Sequence, residues 1–304
     1  MSEITITILG TTAGVPTRER GHSSIHLSYR DREEDNLLFD CGEGTQRQIM
    51  RAGLNIMKLD AVFITHWHGD HCLGIPGLLD TLGFEGRSDV MRVYAPQARR
   101  VRQCMAFSYS MATFPVKTFN VPYRGGRMHR VLETERYRVL STPVKHSIPA
   151  VAYAFVEKER TGIDIDKAMA LGLPGEGDVY RELKDKGRVS AGGKDISLAE
   201  VTRSEPGRKI VYSGDTEICP SLRELVSGAD LLIQDCTYFE PQGVDRPHRH
   251  AALPEVLEML QSSGVKRAIL THISRKHQDI GQLRDIVRDF PDVEVAEDMM
   301  VVSL

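Results

Sequence analysis

The chain has few cysteines, no Cys-x-x-Cys pair and no long apolar run. Its five cysteines (Cys41, Cys72, Cys104, Cys219, Cys236) are odd in number, so neither a disulfide framework nor a thiolate zinc ribbon is expected. The longest stretches without a charged residue, Ile4–Thr17 and Gln103–Val116, are 14 residues each, too short to cross a membrane, and no apolar h-region of a signal peptide follows Met1. These absences point to a reduced, cytoplasmic chain. No repeat of fixed period occurs, and no Ser-His-Asp set stands out, so neither a solenoid nor a side-chain-nucleophile hydrolase is indicated. Hydrophobic residues at 41% and charged residues at 27% of 304 are ordinary globular values, which excludes disorder, collagen and coiled coil.

The net charge of -3 conceals an asymmetry. Between Arg92 and Arg138 ten Lys/Arg (Arg92, Arg99, Arg100, Arg102, Lys117, Arg124, Arg127, Arg130, Arg136, Arg138) face only Glu133 and Glu135. This +8 segment leaves -11 for the rest. It reads either as a solvated face or as a patch for a polyanion such as nucleic acid.

Short apolar or alternating runs predict strands at Ile4–Leu9, Asn36–Asp40, Leu59–Thr65, Met91–Tyr94, Lys117–Val121, Tyr137–Thr142, Val151–Val156, Lys209–Tyr212, Asp230–Gln234 and Lys266–Leu270. Amphipathic stretches predict helices in TQRQIMRAG and at Leu78–Gly83, Gln97–Phe107, Ser221–Ser227, Pro254–Ser263 and Ile280–Phe290. The mixed order implies layered sheets covered by helices, an α/β or α+β body. From Glu157 to Lys194 the composition changes: seven glycines, eight acids and eight Lys/Arg, with few large apolar residues. So long an insertion between two strands reads as a projecting arm or a loose loop.

The chemistry concentrates at Ile64-Thr65-His66-Trp67-His68-Gly69-Asp70-His71. Residues two apart on an extended chain share a side, so His66 and His68 can bind one metal. Asp70 and His71 follow a glycine, where the chain can turn and serve a second ion. Imidazole with carboxylate suits Zn²⁺ or a similar divalent cation. A lone histidine is more often structural, but three His and one Asp within six residues are not easily explained that way. Three further candidates end apolar runs: His146 after VLSTPVK, Asp215 in IVYSGDT and His272 after RAILT. Singly, each could cap a turn or hydrogen-bond in the core. Together they complete two coordination sets with one bridging carboxylate.

This pattern resembles the metallo-β-lactamase superfamily, whose HxHxDH signature is matched by His66, His68, Asp70 and His71. Within it the chain is similar to ribonuclease Z, the tRNA 3′-processing endonuclease family. The segments ILGTTAGVPTRERGHSS, LLFDCGEGTQRQIMRAG, VFITHWHGDHCLGIPGLLDTLGF, STPVKHSIPAVAY, YSGDT and LTHIS carry the likeness over essentially the whole chain. The resemblance implies a single αβ/βα sandwich domain over 1–304 with a flexible exosite arm, 157–200, that grips precursor tRNA. It implies two zinc ions per subunit, one on His66, His68, His146 and Asp215, the other on Asp70, His71, Asp215 and His272. A water activated between the two cations would attack the scissile phosphorus, with Asp70 orienting it or taking its proton.

The family's His-Glu-Ala-Thr stretch reads Gln234-Asp235-Cys236-Thr237 here, and the partner histidine aligns with His250, with His248 a near competitor. Asp235 would then steer His250 as the acid for the departing 3′ oxygen. Arg275 or Lys276 would touch phosphate. The arm tip, LGLPGEGDVYRELKDKG, keeps the glycines of a Gly-Pro-rich tip but only one proline, Pro174. The product implied is a tRNA with a 3′ hydroxyl, and the assembly a homodimer with no membrane association. The other readings are a small-molecule phosphodiesterase of the same fold and a non-catalytic RNA-binding subunit.

Overall fold

A computed structural model describes residues 2–106, 113–240, 248–277 and 280–304. Two seven-stranded sheets form the body. The first has the order Met300–Ser303, Glu3–Gly10, Ser24–Arg30, Glu34–Phe39, Leu59–Phe63, Met91–Ala95, Val116–Asn120. The second runs Val293–Val295, Ala268–Thr271, Leu231–Asp235, Lys209–Tyr212, Ala150–Glu157, Tyr137–Val144, His129–Glu133. Apolar faces of both sheets meet: Phe39 packs on Tyr153 and Tyr212, and Tyr29 on Phe155, with ring centroids 5.3 to 6.5 Å apart. The outer face of the first sheet is covered by helices Thr45–Arg51, Ile75–Phe84 and Arg99–Met105, whose Ile49, Leu78, Leu79, Leu82 and Val101 pack against Leu9, Leu38, Val62 and Val93. Helices Pro220–Val226 and Leu253–Ser263 bury Leu222, Leu225, Val256 and Met259. The fold is the expected αβ/βα sandwich. No helix among the described residues is long and apolar enough to cross a membrane.

Strand direction places the chemistry. Glu34–Phe39, Leu59–Phe63, Met91–Ala95 and Val116–Asn120 pair in parallel, as do Lys209–Tyr212, Leu231–Asp235, Ala268–Thr271 and Val293–Val295. Strands buried on both faces read as continuous apolar runs such as AVF and AILT, which is why the sequence reveals them. Their carboxyl ends open into loops along one edge of each sheet, where such sheets present functional groups.

One difference from the sequence-based expectation has a physical cause. The strand Ser24–Arg30 is not announced by its sequence, because buried Ser24 and His26 interrupt its apolar character. The helix expected over Gln97–Phe107 spans Arg99–Met105, and Phe107 lies outside the described residues.

Chain contacts separate a second compact unit, residues 134–137 with 156–208, from the body of 1–133, 138–155 and 209–304. It contains two antiparallel strand pairs, Arg160–Ile163 with Thr202–Glu205 and the hairpin of Arg188–Ala191 with Lys194–Ser197, and helices Ile165–Ala170 and Val179–Lys186. Ala168, Leu173, Leu183, Val189, Ile196 and Val201 form its own small core. Its ends meet: Glu157 N–H donates to Arg208 O at 2.9 Å, and Arg208 Nε to Glu157 Oε2 at 2.8 Å. Gly207 is required there, since a Cβ would fall 1.9 Å from Glu157 O.

Candidate metal centre

Three residues after the strand Leu59–Phe63, the loop delivers His66 and then His68, whose backbone is extended. Gly69 begins one helical turn, Gly69–Cys72, that presents Asp70 and His71. His146 follows the strand Tyr137–Val144, Asp215 follows Lys209–Tyr212, Asp235 ends Leu231–Asp235, and His272 follows Ala268–Thr271. Local backbone conformations serve this convergence. Gly214, at φ 55°, has Thr65 side-chain atoms 2.8 Å from where a Cβ would sit, so only glycine admits the turn that presents Asp215. His272 and Asp40 adopt φ of 57° and 59°, left-handed values that Asp and His tolerate better than most residues.

The structure brings all seven expected ligands together. Donor atoms of His66, His68, His146 and Asp215 lie within 4.8 Å of one another, and so do those of Asp70, His71, Asp215 and His272. Asp215 belongs to both sets. A third group, Asp215, Asp235, His250 and His272, adjoins them.

The arrangement fits divalent cations on its own chemistry. His66 Nε2 lies 3.1 Å from His68 Nδ1, His146 Nε2 lies 3.0 Å from the same atom, and His71 Nε2 lies 3.3 Å from His272 Nε2. Hydrogen bonds cannot satisfy one nitrogen facing two others. Two nitrogens on one tetrahedral zinc would stand about 3.4 Å apart, close to these separations. Burial holds His66 well below, and His146 down at about 4 from, the ordinary imidazole range, so both stay in the neutral, ligating form. Across the site the carboxylates dominate. Burial opposes protonation of His272, but Asp215, Asp235 and Asp70 outweigh it and raise that imidazole to about 10. Asp40, Asp70, Asp215 and Asp235 place four acidic groups in a nearly dry pocket, which demands compensating cations.

The surrounding hydrogen bonds orient the donors. His71 Nδ1–H donates to Asp40 Oδ2 at 2.7 Å, and Tyr212 O–H donates to the same oxygen at 2.8 Å. Thr65 N–H and Oγ1 also donate to Asp40, and Thr65 Oγ1 lies 2.9 Å from His66 Nδ1. Asp40 therefore sets His71 directly and His66 through Thr65. It ends the apolar run NLLFD, the same signal that marks His146, Asp215 and His272, but it stands outside the metal signature, and nothing in the sequence assigns it a role. Thr237 is a second such residue: its hydroxyl donates to Asp235 Oδ1 at 2.7 Å and lies 2.8 Å from His272 Nδ1.

His250 Nδ1–H donates to Asp235 Oδ2 at 2.9 Å. Burial lowers the proton affinity of His250, yet Asp235 outweighs it and the net shift is upward. His250 is buried, whereas His248, with its ring centroid 6.5 Å from that of His250, is exposed. Arg275 and Lys276 stand exposed in the turn after Ile273–Ser274, outside the donor clusters.

Comparison with known proteins agrees with this geometry. Residues 13–158 match the metallo-beta-lactamase superfamily and residues 156–273 a beta-lactamase superfamily domain. The chain is 40% identical to ribonuclease Z of Methanothermobacter thermautotrophicus over 98% of its own length and 96% of that protein's. It is 38% identical to ribonuclease Z of Methanosarcina acetivorans, covering 98% and 97%. The solved structure of human tRNase Z, short form, superposes with a TM-score of 0.69 at 26% identity, covering 98% of both chains. With the HxHxDH loop, its partner strands and this near full-length similarity in agreement, the chain belongs to the ribonuclease Z family of the metallo-β-lactamase superfamily.

Proposed function

We propose that this protein is an endoribonuclease that removes the 3′ trailer from precursor tRNA and leaves a 3′ hydroxyl on the tRNA. The observation that carries the reading is the pair of donor sets sharing Asp215, set beside the buried Asp235–His250 pair. His66, His68, His146 and Asp215 would hold one cation and Asp70, His71, Asp215 and His272 the other, zinc being the ion the donor types suit. When bound, these cations supply Lewis acidity at the phosphoryl oxygens and lower the pKa of water.

The chain's own residues do the rest. Asp70 Oδ2 accepts Gly14 N–H at 2.8 Å and lies 3.3 Å from His272 Nε2, so its carboxylate is fixed where it can orient the attacking water or accept its proton. Burial would raise that carboxyl, but His272 and His71 overcome it and keep it ionised. In the same step the bond from phosphorus to the tRNA's 3′ oxygen breaks. His250, kept protonated by Asp235, donates a proton to that oxygen. Exposed Arg275 and Lys276 contact flanking phosphates. The unit of 156–208 grips the tRNA body, a function for which a small ester would have no use. Phosphate contacts of this kind give salt-dependent affinity with little sequence preference.

The same reading places the enzyme in the cytoplasm as a homodimer. The test is incubation of a tRNA transcript carrying a 3′ trailer beside a generic small phosphodiester. Cleavage of the transcript just 3′ to the acceptor stem supports the reading. Turnover of the small ester alone would replace it with a phosphodiesterase.

A further inference from the structure

The strands Leu59–Phe63, Met91–Ala95 and Val116–Asn120 are hydrogen-bonded neighbours running in parallel, so their carboxyl ends share one edge. The first leads into the metal-ligating loop. Off the other two opens a cavity of about 610 Å³ lined by Gln97, Arg99, Arg102, Thr118, Asn120 and Tyr123. The two places are tied together: Trp67, between His66 and His68, donates its indole N–H to Pro96 O at 2.5 Å. The cavity wall begins at the next residue.

Its chemistry is that of a nucleotide site. Arg99 and Arg102 project from one helix, exposed, and neither has a carboxylate partner among the described residues. Two neighbouring guanidinium groups without a counter-charge suit a phosphodiester. Tyr123 is half-buried, with the Arg124 guanidinium carbon 5.6 Å from its ring centroid. That aromatic surface can stack a base, and Thr118 with the amide N–H groups of Gln97 and Asn120, whose oxygens already accept from Arg100 Nε and Ala98 N–H, can hydrogen-bond its edge. A base can enter a cavity and stack on a side chain only when it is unpaired, since a duplex exposes its backbone and grooves instead.

We propose that this cavity seats a nucleotide of an unpaired RNA strand, the 3′ trailer beside the scissile phosphate. The assignment of the strand as trailer rests on the function proposed above.

The test compares kcat/KM for precursors with trailers of one and of ten nucleotides, in wild type and in Arg99→Ala/Arg102→Ala and Tyr123→Ala variants. Wild type favours the long trailer, and the variants lose about tenfold of that preference, while Tyr123→Phe retains it. A preference unchanged in the variants overturns the proposal. So does an equal loss with both trailers, which would set these arginines against the tRNA body. Titration with decauridylate needs no cleavage. Wild type binds it, and the double arginine variant binds about tenfold more weakly, with a salt dependence shallower by about 1.4 in log–log slope. Equal binding overturns the site. Decauridylate binding without cleavage of any precursor overturns the trailer reading while supporting a single-strand site.

Discussion

Asp40 Oδ2 lies 2.7 Å from His71 Nδ1, in a pocket where neither side chain is exposed to solvent. The carboxylate fixes the ring so that Nε2 faces Asp215 at 3.2 Å, and it also holds Thr65, which touches His66. Hydrogen bonds of this kind around ligating histidines set both orientation and basicity.

Asp40→Asn tests that arrangement with little backbone cost, because asparagine also tolerates the left-handed conformation Asp40 adopts at φ 59°. Metal affinity, read by competition with a chelating dye, falls about 10- to 100-fold while the fold persists. Undiminished affinity would remove Asp40 from the metal centre.

The Asp235–His250 pair predicts a leaving-group signature. Asp235→Asn and His250→Ala lower kcat on ordinary precursor by about 10²- to 10⁴-fold. A substrate with sulfur in place of the bridging 3′ oxygen needs no proton on departure, so it recovers most of that loss. Equal defects on both substrates would deny His250 the role of acid.

His26, on the buried strand Ser24–Arg30, makes stability depend on acidity. Burial pushes its imidazole down to about 4, against the helping hydrogen bond of Asn36, whereas the unfolded chain titrates near the ordinary 6.5. The unfolded state therefore takes up the proton first, and stability present at neutral pH is lost as pH falls from 6.5 toward 4. The loss between pH 7 and pH 5 is about 2 kcal/mol. Urea unfolding at the two values should show His26→Leu losing that much less than wild type. Parallel losses in the two proteins would contradict the assignment.

The hydrogen bond between Glu157 and Arg208 means that residues 158–207 can be replaced by a short turn without separating the flanking strands. The shortened protein keeps the fold of the body but binds precursor tRNA about 100-fold more weakly, as loss of one of two linked contacts predicts. Undiminished tRNA affinity, measured by filter binding, would refute a gripping role for this unit.

The legible parts of the sequence were those with a local signature. Continuous apolar runs mark the parallel strands, and HxHxDH marks the first four donors of the two clusters. The rule that a polar residue closing such a run faces the cleft found His146, Asp215 and His272. It applied equally to Asp40, but nothing local separates an orienting carboxylate from a strand-end cap. Asp235 was reached through resemblance despite its shorter side chain, and the structure sets it within 2.9 Å of His250. The choice of His250 over His248 required burial, which spacing does not encode. The elements of 156–208 were hidden because their small core uses scattered residues such as Leu173, Val189 and Ile196 among glycines and charges.

The most direct test of the whole account is one cleavage assay with a trailer-bearing precursor tRNA. The protein is first stripped of metal with a chelator, then supplied with zinc, and Asp70→Ala is carried alongside. The stripped protein makes no cut, zinc restores a single cut leaving a 3′ hydroxyl, and Asp70→Ala makes no cut even though it binds the precursor. Cleavage without metal, or by Asp70→Ala at the wild-type rate, would contradict the account.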